Sequence, residues 1–428
     1  MLDIKFVREN KELVQQAAKK KHVEFDVDKL IEVDDKRKKL LGLVEEKRAE
    51  QKVANNTIVK ASSEERDKIL EKMKILKGEL EGEEENLKEV INEWQALMLL
   101  VPNVPDTSVP EGEGEKDNVT VKEWGKKPKF EFEPKDHVEI MTALDMADFE
   151  RGAKVHGFRG YFLKNSGVLL SWAIWNYAQH FFLQRNFVPF IAPAIVRKNY
   201  FYGTGHLPTD AEDLYKTQDD DYLSGTAEVP MMAYHADEIL KKEELPKRYL
   251  AFSPCFRREA GSHSKDTKGL IRVQEFFKLE QLILCEASHA ESDKLFEEIN
   301  RNYEEFIESL GIPYRQLLIC GGDLGRSKVK QYDTEVWFPS QNTYREGSSA
   351  SYFHDFQTRR FNIRYDEGDK RLYTHSLNCT AAATPRLIAA LVENFQQADG
   401  SVKIPEVLVP YMNGLAVIAS TSSLQVKK

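Results

Sequence analysis

A stretch without proline, from about residue 28 to residue 100, constrains the fold more than any other feature of this chain. Lys and Glu dominate it, and its second half carries a heptad seam at Ile69, Met73, Leu76, Leu80, Leu87, Val90, Trp94 and Leu97. The first half carries a weaker seam, which Arg37, Lys47 and Gln51 interrupt. Because an apolar seam needs a facing helix, the pattern predicts an antiparallel coiled-coil hairpin with a turn at KASSEE (60–65) and Ser63 as the cap of the second helix. At about 1.5 Å per residue, the hairpin extends about 45–50 Å.

Charge is distributed unevenly along this hairpin. Residues 79–93 hold seven Glu and one Lys, whereas residues 47–60 hold four basic residues and one acidic residue. The tip is therefore relatively basic, in a chain whose net charge is −9. On the pattern alone, a solvated coiled-coil surface is the favoured interpretation.

The composition changes after the hairpin. VPNVPDTSVPEGEGEKDN (101–118) concentrates Pro, Gly and acidic residues, which is typical of a linker. The chain beyond it alternates helical and strand-like runs, which predicts an α+β fold with a mainly antiparallel sheet flanked by helices. We therefore expect an N-terminal domain (1–100) with a helical arm over about 28–100, a linker (101–118) and a C-terminal α+β domain (119–428).

Cysteine usage and hydropathy bear on the compartment. The four cysteines lie far apart, and no C-x-x-C pair occurs. No apolar run approaches the length of about 18 residues that a membrane span needs, and the first residues do not resemble a signal peptide. We expect a cytoplasmic protein with reduced thiols and no membrane partner.

The segment CFRREAGSHSKDTKGLIRVQEFFKLEQ (255–281) is predicted to form two strands joined by a loop. Arg257 and Glu259 would share one face of the first strand. The matching face of the second strand would present Gln274, Phe276, Lys278 and Glu280. Arginine binds phosphate oxygens through its fork, and a phenyl ring can stack on a base. These residues alone leave open both a nucleotide site and an amphipathic hairpin with solvated charges.

Several segments in one order carry a family resemblance. FRREAG…KGLIRVQEFFKLEQ resembles motif 2 of the class II aminoacyl-tRNA synthetases and is closest to their seryl branch. RNFVPFIAP (185–193) is similar to motif 1, the dimer-interface helix and strand, and NCTAAATPRLIAALVENFQ (378–396) is similar to motif 3. YLSGTAEVP (222–230) and YDTEVWFPSQNTYREGSSAS (332–351) resemble the T-x-E loop and the E-x-S-S segment of the seryl branch. Together with the arm, the resemblance covers essentially the whole chain.

The resemblance implies a ligase that activates L-serine with ATP to seryl-adenylate and transfers serine to the 3′ end of serine tRNA. Mg²⁺ would accompany ATP, and the enzyme would be a homodimer formed through motif 1. The helical arm would bind the long variable arm of serine tRNA, and selenocysteine tRNA would be a further substrate wherever it exists.

Carried over residue by residue, the resemblance implies catalytic roles for Arg257 and Arg386. The ATP site would comprise Arg257, Arg258, Glu259, Val273, Phe276, Glu346, Gly347, Ser348, Ser349 and Arg386. Glu346 and Ser349 would also be the Mg²⁺ ligands, as oxygen donors that a hard cation prefers. The serine site would comprise Thr226, Ala227, Glu228, Arg257, Glu280 and Thr380. Phosphates of the tRNA would be contacted by Lys47, Arg48, Lys52, Lys60, Lys72 and Lys74 of the arm.

The chain departs from the family pattern at a few positions. Cys379, Ala381 and Pro385 stand where motif 3 commonly has glycine, Asn186 replaces a glycine of motif 1, and Gly347 replaces a larger apolar residue. These departures bear on substrate geometry and rate more than on identity. Three alternatives are weighed separately: another class II synthetase, a ligase that loads amino acids onto a carrier protein, and a non-catalytic coiled-coil protein. The T-A-E loop argues against the first, the full-length arm against the second, and the set of Arg257, Glu346 and Arg386 against the third.

Overall fold

The computed structural model describes residues 1–59, 62–260 and 268–419. Its two compact units are Met1–Lys19 with Val23–Pro102, and Lys20–His22 with the chain from Asn103 onward. Lys60 and most of the loop predicted between the two motif 2 strands lie outside the described residues. Within the described ranges, no helix combines the length and apolar character that crossing a membrane would require.

The N-terminal unit is a long helical hairpin preceded by two short helices. Its helices are α1 (Ile4–Glu9), α2 (Lys11–Lys20), α3 (Val27–Ile58) and α4 (Ser63–Leu100). The predicted seam is present, because Leu80 and Leu87 of α4 pack against Val44 of α3. The prediction of Ser63 as the cap is wrong: the N-cap is Ser62, whose backbone N donates to Glu65 Oε2 at 3.0 Å.

A buried carboxylate near the base of the hairpin accommodates one interruption of the seam. Asp34 is fully buried and accepts hydrogen bonds from Arg8 Nε at 2.9 Å and from Arg37 Nη2 at 2.7 Å. The guanidinium of Arg37 also lies 4.6 Å from the centroid of the Trp94 ring on α4. Burial raises the pKa of Asp34, but its hydrogen bonds to Arg37, Lys38 and Arg8 outweigh burial and lower that pKa overall. Arg37 is therefore paired and stacked between the two helices.

The C-terminal unit is built on an eight-stranded sheet. In chain order, its strands are β1 (Val119–Trp124), β2 (Val188–Ile191), β3 (Lys247–Phe256), β4 (Glu275–Cys285), β5 (Tyr314–Leu318), β6 (Lys330–Phe338), β7 (Thr343–Tyr352) and β8 (His375–Thr384). Their spatial order is β1-β5-β6-β7-β8-β4-β3-β2, and every neighbouring pair is antiparallel except β2 and β3. The predicted α+β fold, with a helical hairpin followed by a mainly antiparallel sheet, is confirmed.

Helices cover this sheet and form the main core with it, where Phe182, Phe296 and Phe306 are fully buried. The helices with buried residues in this core are α5 (His137–Ala143), α7 (Ser166–Leu183), α10 (His289–Leu310) and α12 (Arg386–Asn394). The unit also contains α6 (Phe149–His156), α8 (Lys198–Thr204), α9 (Glu228–Ala233) and α11 (Phe356–Phe361). Shorter strands lie at Ala147–Asp148, Phe162–Leu163, Ile195–Val196, Tyr215–Lys216, Tyr222–Leu223, Ile239–Leu240, Arg364–Glu367, Lys370–Tyr373, Val402–Lys403 and Val417–Ile418. Turns of 3₁₀ helix lie at Glu115–Asp117, Ala211–Asp213, Lys242–Glu244, Pro339–Gln341 and Glu406–Met412.

The two strands of motif 2 are shorter than the sequence predicts. β3 ends at Phe256, so Arg257 and Glu259 lie beyond it, and Glu259 has a left-handed φ of 55°. β4 begins at Glu275, so Gln274 precedes it. The prediction that Arg257 and Glu259 share a strand face is therefore wrong, whereas the alternation within β4 holds.

Two β-bulges change the direction of side chains in the middle of the sheet. In the pairing of β4 with β8, Leu279 faces Ala382 and Glu280 faces Thr380, so Ala381 is an extra residue. In the pairing of β6 with β7, Thr334 faces Ser348 and Glu335 faces Glu346, so Gly347 is an extra residue. Such bulges re-aim neighbouring side chains, and both lie beside the cleft described next.

Candidate active site

A cleft with two lobes lies over the sheet at β4, β7 and β8. The lobes share Arg257, Lys278, Glu346 and Thr380. The first lobe is further lined by Glu259, Val273, Phe276, Gly347 and Arg386. The second lobe, of about 360 Å³, is further lined by Thr226, Glu228, Glu280, Ser349 and Asn378. Segments that are far apart in sequence therefore meet in one cleft.

Arg257 lies at the junction of the two lobes. Its guanidinium carbon is 5.3 Å from the centroid of the Phe276 ring, which places a cation beside an aromatic face. A Cβ on Gly225 would lie 3.1 Å from Arg257 Cγ, so the glycine of the T-A-E loop permits this loop to approach the arginine closely. The arrangement brings a phosphate-binding fork next to a surface on which a base can stack.

Two further arginines organise the first lobe. Arg386, the first residue of α12, donates from Nε to the Ile271 carbonyl at 3.1 Å and from Nη1 to the Glu346 carbonyl. Its Nη1 also lies 3.6 Å from Glu346 Oε2. On the other side of the lobe, Arg272 Nη1 donates to Glu259 Oε2 at 2.5 Å, which fixes the position of that carboxylate.

The second lobe contains two carboxylates with raised pKa values. Glu280 is 2% exposed and forms an ion pair with Lys278 on the same strand. Burial raises the pKa of Glu280, although the Lys278 ammonium opposes the rise. Thr226 Oγ1 donates to Glu280 Oε2 at 3.3 Å and accepts from Glu228 N at 3.2 Å. Burial also raises the pKa of Glu228, whose Oε1 accepts from Gln357 Nε2 at 2.6 Å.

Oxygen donors gather on β6 and β7 in and beside the cleft. Asp333 faces Ser349 in the strand register, and burial together with the charge of Glu346 raises the pKa of Asp333 to about 7. The walls of the cleft desolvate Glu346, but Arg386 and Arg257 more than offset this and lower its pKa. Among the described residues, no group of three or more His, Cys, Asp or Glu side chains could hold a metal by itself. This oxygen set therefore suits a hard cation whose remaining ligands come from phosphates and water.

Three predicted site residues do not line the cleft. Arg258 points away, since its Nη1 donates to the Glu212 carbonyl at 3.0 Å. Ala227 is fully buried in a small apolar cluster. Ser348 is buried next to the bulge, and its Oγ donates to the Thr380 carbonyl at 2.8 Å. Their side chains are therefore engaged elsewhere in the fold.

The structure accommodates the departures from the family pattern. Asn186 has a φ of 63°, a left-handed conformation that Asn tolerates better than most residues. A Cβ on Gly347 would lie 2.4 Å from Tyr303 Oη, so glycine fits this bulge without moving the tyrosine. Cys379 and Ala381 are both fully buried, which places them in the core behind the cleft.

The predicted tRNA contacts on the arm differ in their surroundings. Lys47 Nζ lies 2.8 Å from Glu79 Oε2, and Arg48 Nη2 lies 2.7 Å from Glu84 Oε1, so both are paired with α4. The other residues predicted to contact tRNA, within the part of the chain that the structure describes, have exposed side chains: Lys52, Lys72 and Lys74.

Four polar residues in or beside the cleft were not predicted as site residues: Arg272, Asp333, Arg326 and Lys328. Asp333 could have been suspected, because YDTEV places a carboxylate in an otherwise buried strand. Arg326 and Lys328 lie on a turn outside every motif, so no pattern in the sequence points to them.

Comparisons with known proteins match both units. The family description "Seryl-tRNA synthetase N-terminal domain" matches residues 1–105, and "tRNA synthetase class II core domain (G, H, P, S and T)" matches residues 214–395. The serine–tRNA ligase of Deinococcus radiodurans is 44% identical over 420 residues, which cover 98% of this chain and 99% of that protein. That of Thermodesulfovibrio yellowstonii is 42% identical and covers 98% of this chain and 100% of that protein.

Structural similarity to a solved protein supports the same relationship. The crystal structure of seryl-tRNA synthetase from Pyrococcus horikoshii complexed with ATP has a TM-score of 0.89 at 38% identity, covering 98% of this chain and 100% of that chain. The matches extend over the helical hairpin as well as the sheet, and they confirm the relationship that the motifs predict. The chain belongs to the seryl-tRNA synthetase family.

Proposed function

We propose that this chain activates L-serine with ATP to seryl-adenylate and then transfers serine to the 3′ end of serine tRNA. The observation that carries the proposal is the meeting of the T-A-E loop, motif 2, the E-x-S-S strand and motif 3 in one two-lobed cleft. Relatives that match nearly the whole chain are named serine–tRNA ligases, and one solved relative is complexed with ATP. These findings support serine and ATP as substrates.

The first lobe would bind ATP. Adenine would stack on Phe276, with Glu259 toward the base and held in place by Arg272. Arg257 would bind the α-phosphate and Arg386 the γ-phosphate, each through a fork that matches phosphate oxygens. Val273 and Gly347 line the same lobe, so they would contact the nucleotide through its walls.

The second lobe would bind serine. Thr226 and Glu228 of the T-A-E loop would close over the ammonium end, and Thr380 would lie beside the hydroxyl. Glu280 would accept a hydrogen bond from the amino acid, and the Lys278 ammonium next to it opposes the rise in the pKa of Glu280 that burial causes. A lobe of about 360 Å³ with so many fixed polar groups suits a small polar amino acid.

The chemistry needs positioning and charge stabilisation. A carboxylate oxygen of serine would form a bond to the α-phosphorus while the bond to pyrophosphate breaks, and pyrophosphate leaves with the electron pair. Arg257 would stabilise the charge on the reacting phosphoryl group and Arg386 the charge on the leaving group. The ribose 3′-OH of tRNA would then attack the seryl carbonyl carbon, with AMP as the leaving group. Neither step requires a protein nucleophile.

Mg²⁺ fits the oxygen donors on β6 and β7. Glu346 and Ser349 would hold it, with Asp333 adjacent to Ser349. When bound with ATP, the ion would supply neutralisation of phosphate charge, and it needs only one or two protein carboxylates there. The small donor set around Glu346 is therefore adequate.

The quaternary state would be a homodimer through motif 1. β2 is an edge strand of the sheet, and its Val188 and Ile191 are 53% and 85% exposed. Trp172 on α7 and Ile195 are each 61% exposed. Exposed apolar residues on an unpaired edge are a feature of protein interfaces, and Ile191→Lys should shift the protein toward monomer in analytical ultracentrifugation.

The arm would bind the long variable arm of serine tRNA by shape, through phosphate contacts from its basic residues. Lys52, Lys72 and Lys74 are exposed, and Lys47 and Arg48 would exchange their glutamate partners for phosphates.

The compartment would be the cytoplasm, where buried, unpaired cysteines such as Cys255 and Cys379 remain reduced.

The test is ATP–pyrophosphate exchange with serine, alanine, threonine and proline, followed by charging of tRNA. We expect serine alone to support rapid exchange and serine tRNA to be charged. Exchange with threonine or proline would indicate another class II synthetase. Serine exchange without any tRNA charging would favour a carrier-protein ligase, and absence of exchange would favour a non-catalytic protein.

A further inference from the structure

The turn Gly325–Lys328, between β5 and β6, places two cations on the wall of the second lobe. Arg326 and Lys328 both line it, although neither belongs to a family motif. Lys328 Nζ donates to Gln331 Oε1 at 2.7 Å, which leaves further donors on the ammonium.

The backbone of this turn is held by two buried residues. Lys21 Nζ donates to the carbonyls of Gly325 at 3.3 Å and of Arg326 at 3.0 Å, and it also contacts the Lys328 carbonyl. Asn103 N donates to the Arg326 carbonyl at 2.9 Å, and both Lys21 and Asn103 are less than 5% exposed. Because so many carbonyls are fixed, the two cations are held at the lobe by a preorganised turn.

The guanidinium of Arg326 lacks part of its hydrogen bonding in this position. Its Nε and Nη1 are buried and have no hydrogen-bond partner in the part of the chain that the structure describes. Burial and the charge of Arg326 lower the pKa of the neighbouring Arg360 to about 10, so two like charges lie close together. Asp210, which also lines the second lobe, supplies one opposing charge. Burying these two Arg326 nitrogens without acceptors is costly, and an arriving anion would offset that cost.

The substrates assigned to the two lobes do not use this charge. ATP phosphates would extend between Arg257 and Arg386, and the carboxylate of serine would face Arg257. Lys278 is already paired with Glu280. The remaining anionic reactant is the acceptor end of tRNA, whose terminal phosphodiester lies one ribose away from the attacking 3′-OH.

We propose that Arg326 and Lys328 bind the 3′-terminal phosphodiester of tRNA and position its ribose for attack on the seryl carbonyl. The proposal rests on the proposed function, because it assumes that the second lobe holds the seryl group. Both residues would act as positioning residues in the transfer step and contribute little to activation.

The test compares Arg326→Gln, which removes the charge at similar size, with Arg326→Lys, which keeps it. Two half-reactions are measured: serine-dependent ATP–pyrophosphate exchange without tRNA, and single-turnover transfer from enzyme-bound seryl-adenylate to tRNA. Arg371→Ala is the matched control, because Arg371 is 59% exposed and does not line the cleft. Circular dichroism confirms that each variant is folded.

We expect Arg326→Gln to reduce kcat/KM for tRNA in transfer by about 10- to 100-fold, the effect of losing a charged hydrogen bond, with a much smaller change in exchange. Arg326→Lys should recover most of the loss, and Arg371→Ala should match the unmodified protein. The slope of log(kcat/KM) for tRNA against log salt should fall in magnitude by about 0.7 in Arg326→Gln, because one phosphate contact is lost.

Equal losses in both half-reactions would overturn the proposal, since the turn would then only shape the amino-acid pocket. A raised KM for pyrophosphate in exchange would also overturn it, because pyrophosphate would be the occupant. Failure of the unmodified protein to catalyse serine-dependent exchange would instead refute the proposed function, and the two failures are therefore distinguishable.

Discussion

Replacing Glu280 with Gln should separate the recognition of serine from the recognition of ATP. Glu280 is buried, pairs with Lys278 and accepts a hydrogen bond from Thr226 at 3.3 Å. Gln keeps the size of the side chain and removes its charge. A site that binds a substrate hydroxyl rejects the analogue without it by about 10⁴–10⁵. Losing one charged hydrogen bond costs about 1.5–3 kcal/mol, so the serine-over-alanine ratio should fall about 10- to 100-fold.

The same change has a predictable effect on stability. It leaves the Lys278 ammonium, only 7% exposed, without its carboxylate partner. Removing one member of a buried ion pair typically costs about 3–5 kcal/mol. Adding Lys278→Met removes the stranded charge, so the double variant should regain most of the free energy of unfolding without regaining discrimination.

The assay is ATP–pyrophosphate exchange with serine and with alanine at saturating ATP, alongside urea unfolding of each variant. The KM for ATP should change little, because Glu280 lines only the second lobe. A folded Glu280→Gln variant that kept the original serine-over-alanine ratio would show that the hydroxyl is recognised elsewhere.

Three further predictions address the rest of the molecule. Arg257→Ala should reduce serine-dependent exchange by about 10²–10³-fold in a folded protein. Near-normal exchange would contradict the assignment of Arg257 to the α-phosphate. The pKa of Asp34 is lowered in the folded protein. Its ionised carboxylate therefore stabilises the fold above the ordinary carboxyl pKa of about 3.9, and this contribution is lost as the pH falls through the lowered pKa. Asp34→Asn should therefore cost about 1–3 kcal/mol in urea unfolding at pH 7, with a difference that shrinks in acid; an equal difference at both pH values would contradict the ion-pair account. Deleting residues 35–92 and bridging the gap should spare serine activation and abolish serylation, whereas serylation at full efficiency would refute a role of the arm in binding tRNA.

The arm shows what periodicity can and cannot predict. Spacing of apolar residues predicted the hairpin and the face of α4 that packs on α3, because a seam needs only the register of one helix. Arg37 looked like a defect in that seam. Its partners, Asp34 and Trp94, are recognisable only once the two helices are placed side by side.

Motif 2 shows the same limit in the catalytic unit. Residues 270–274 look like strand because Leu270, Ile271 and Val273 are apolar, yet β4 starts only at Glu275. Leu270 is held instead by a hydrogen bond from its N to His137 Nε2 at 3.0 Å, a partner more than a hundred residues away. A contact with such a distant residue leaves no local pattern.

Motifs predicted the identity of cleft residues better than the direction of their side chains. Ser348 and Ser349 are adjacent in one motif, but the alternation of a strand sends only Ser349 to the cleft. Arg258 is adjacent to Arg257 in the sequence, but its guanidinium donates to the Glu212 carbonyl and does not reach the cleft. Whether a motif residue reaches a ligand depends on bulges and strand ends, which residue spacing alone did not reveal.

The central claim is that one cleft holds the adenylate with its amino acid in the second lobe. Isothermal titration calorimetry with non-hydrolysable sulfamoyl analogues of seryl-adenylate and alanyl-adenylate measures this directly. We predict one site per chain, with the seryl analogue bound at least about 100-fold more tightly than the alanyl analogue. Equal affinity for the two analogues, or no binding of either, would contradict the claim.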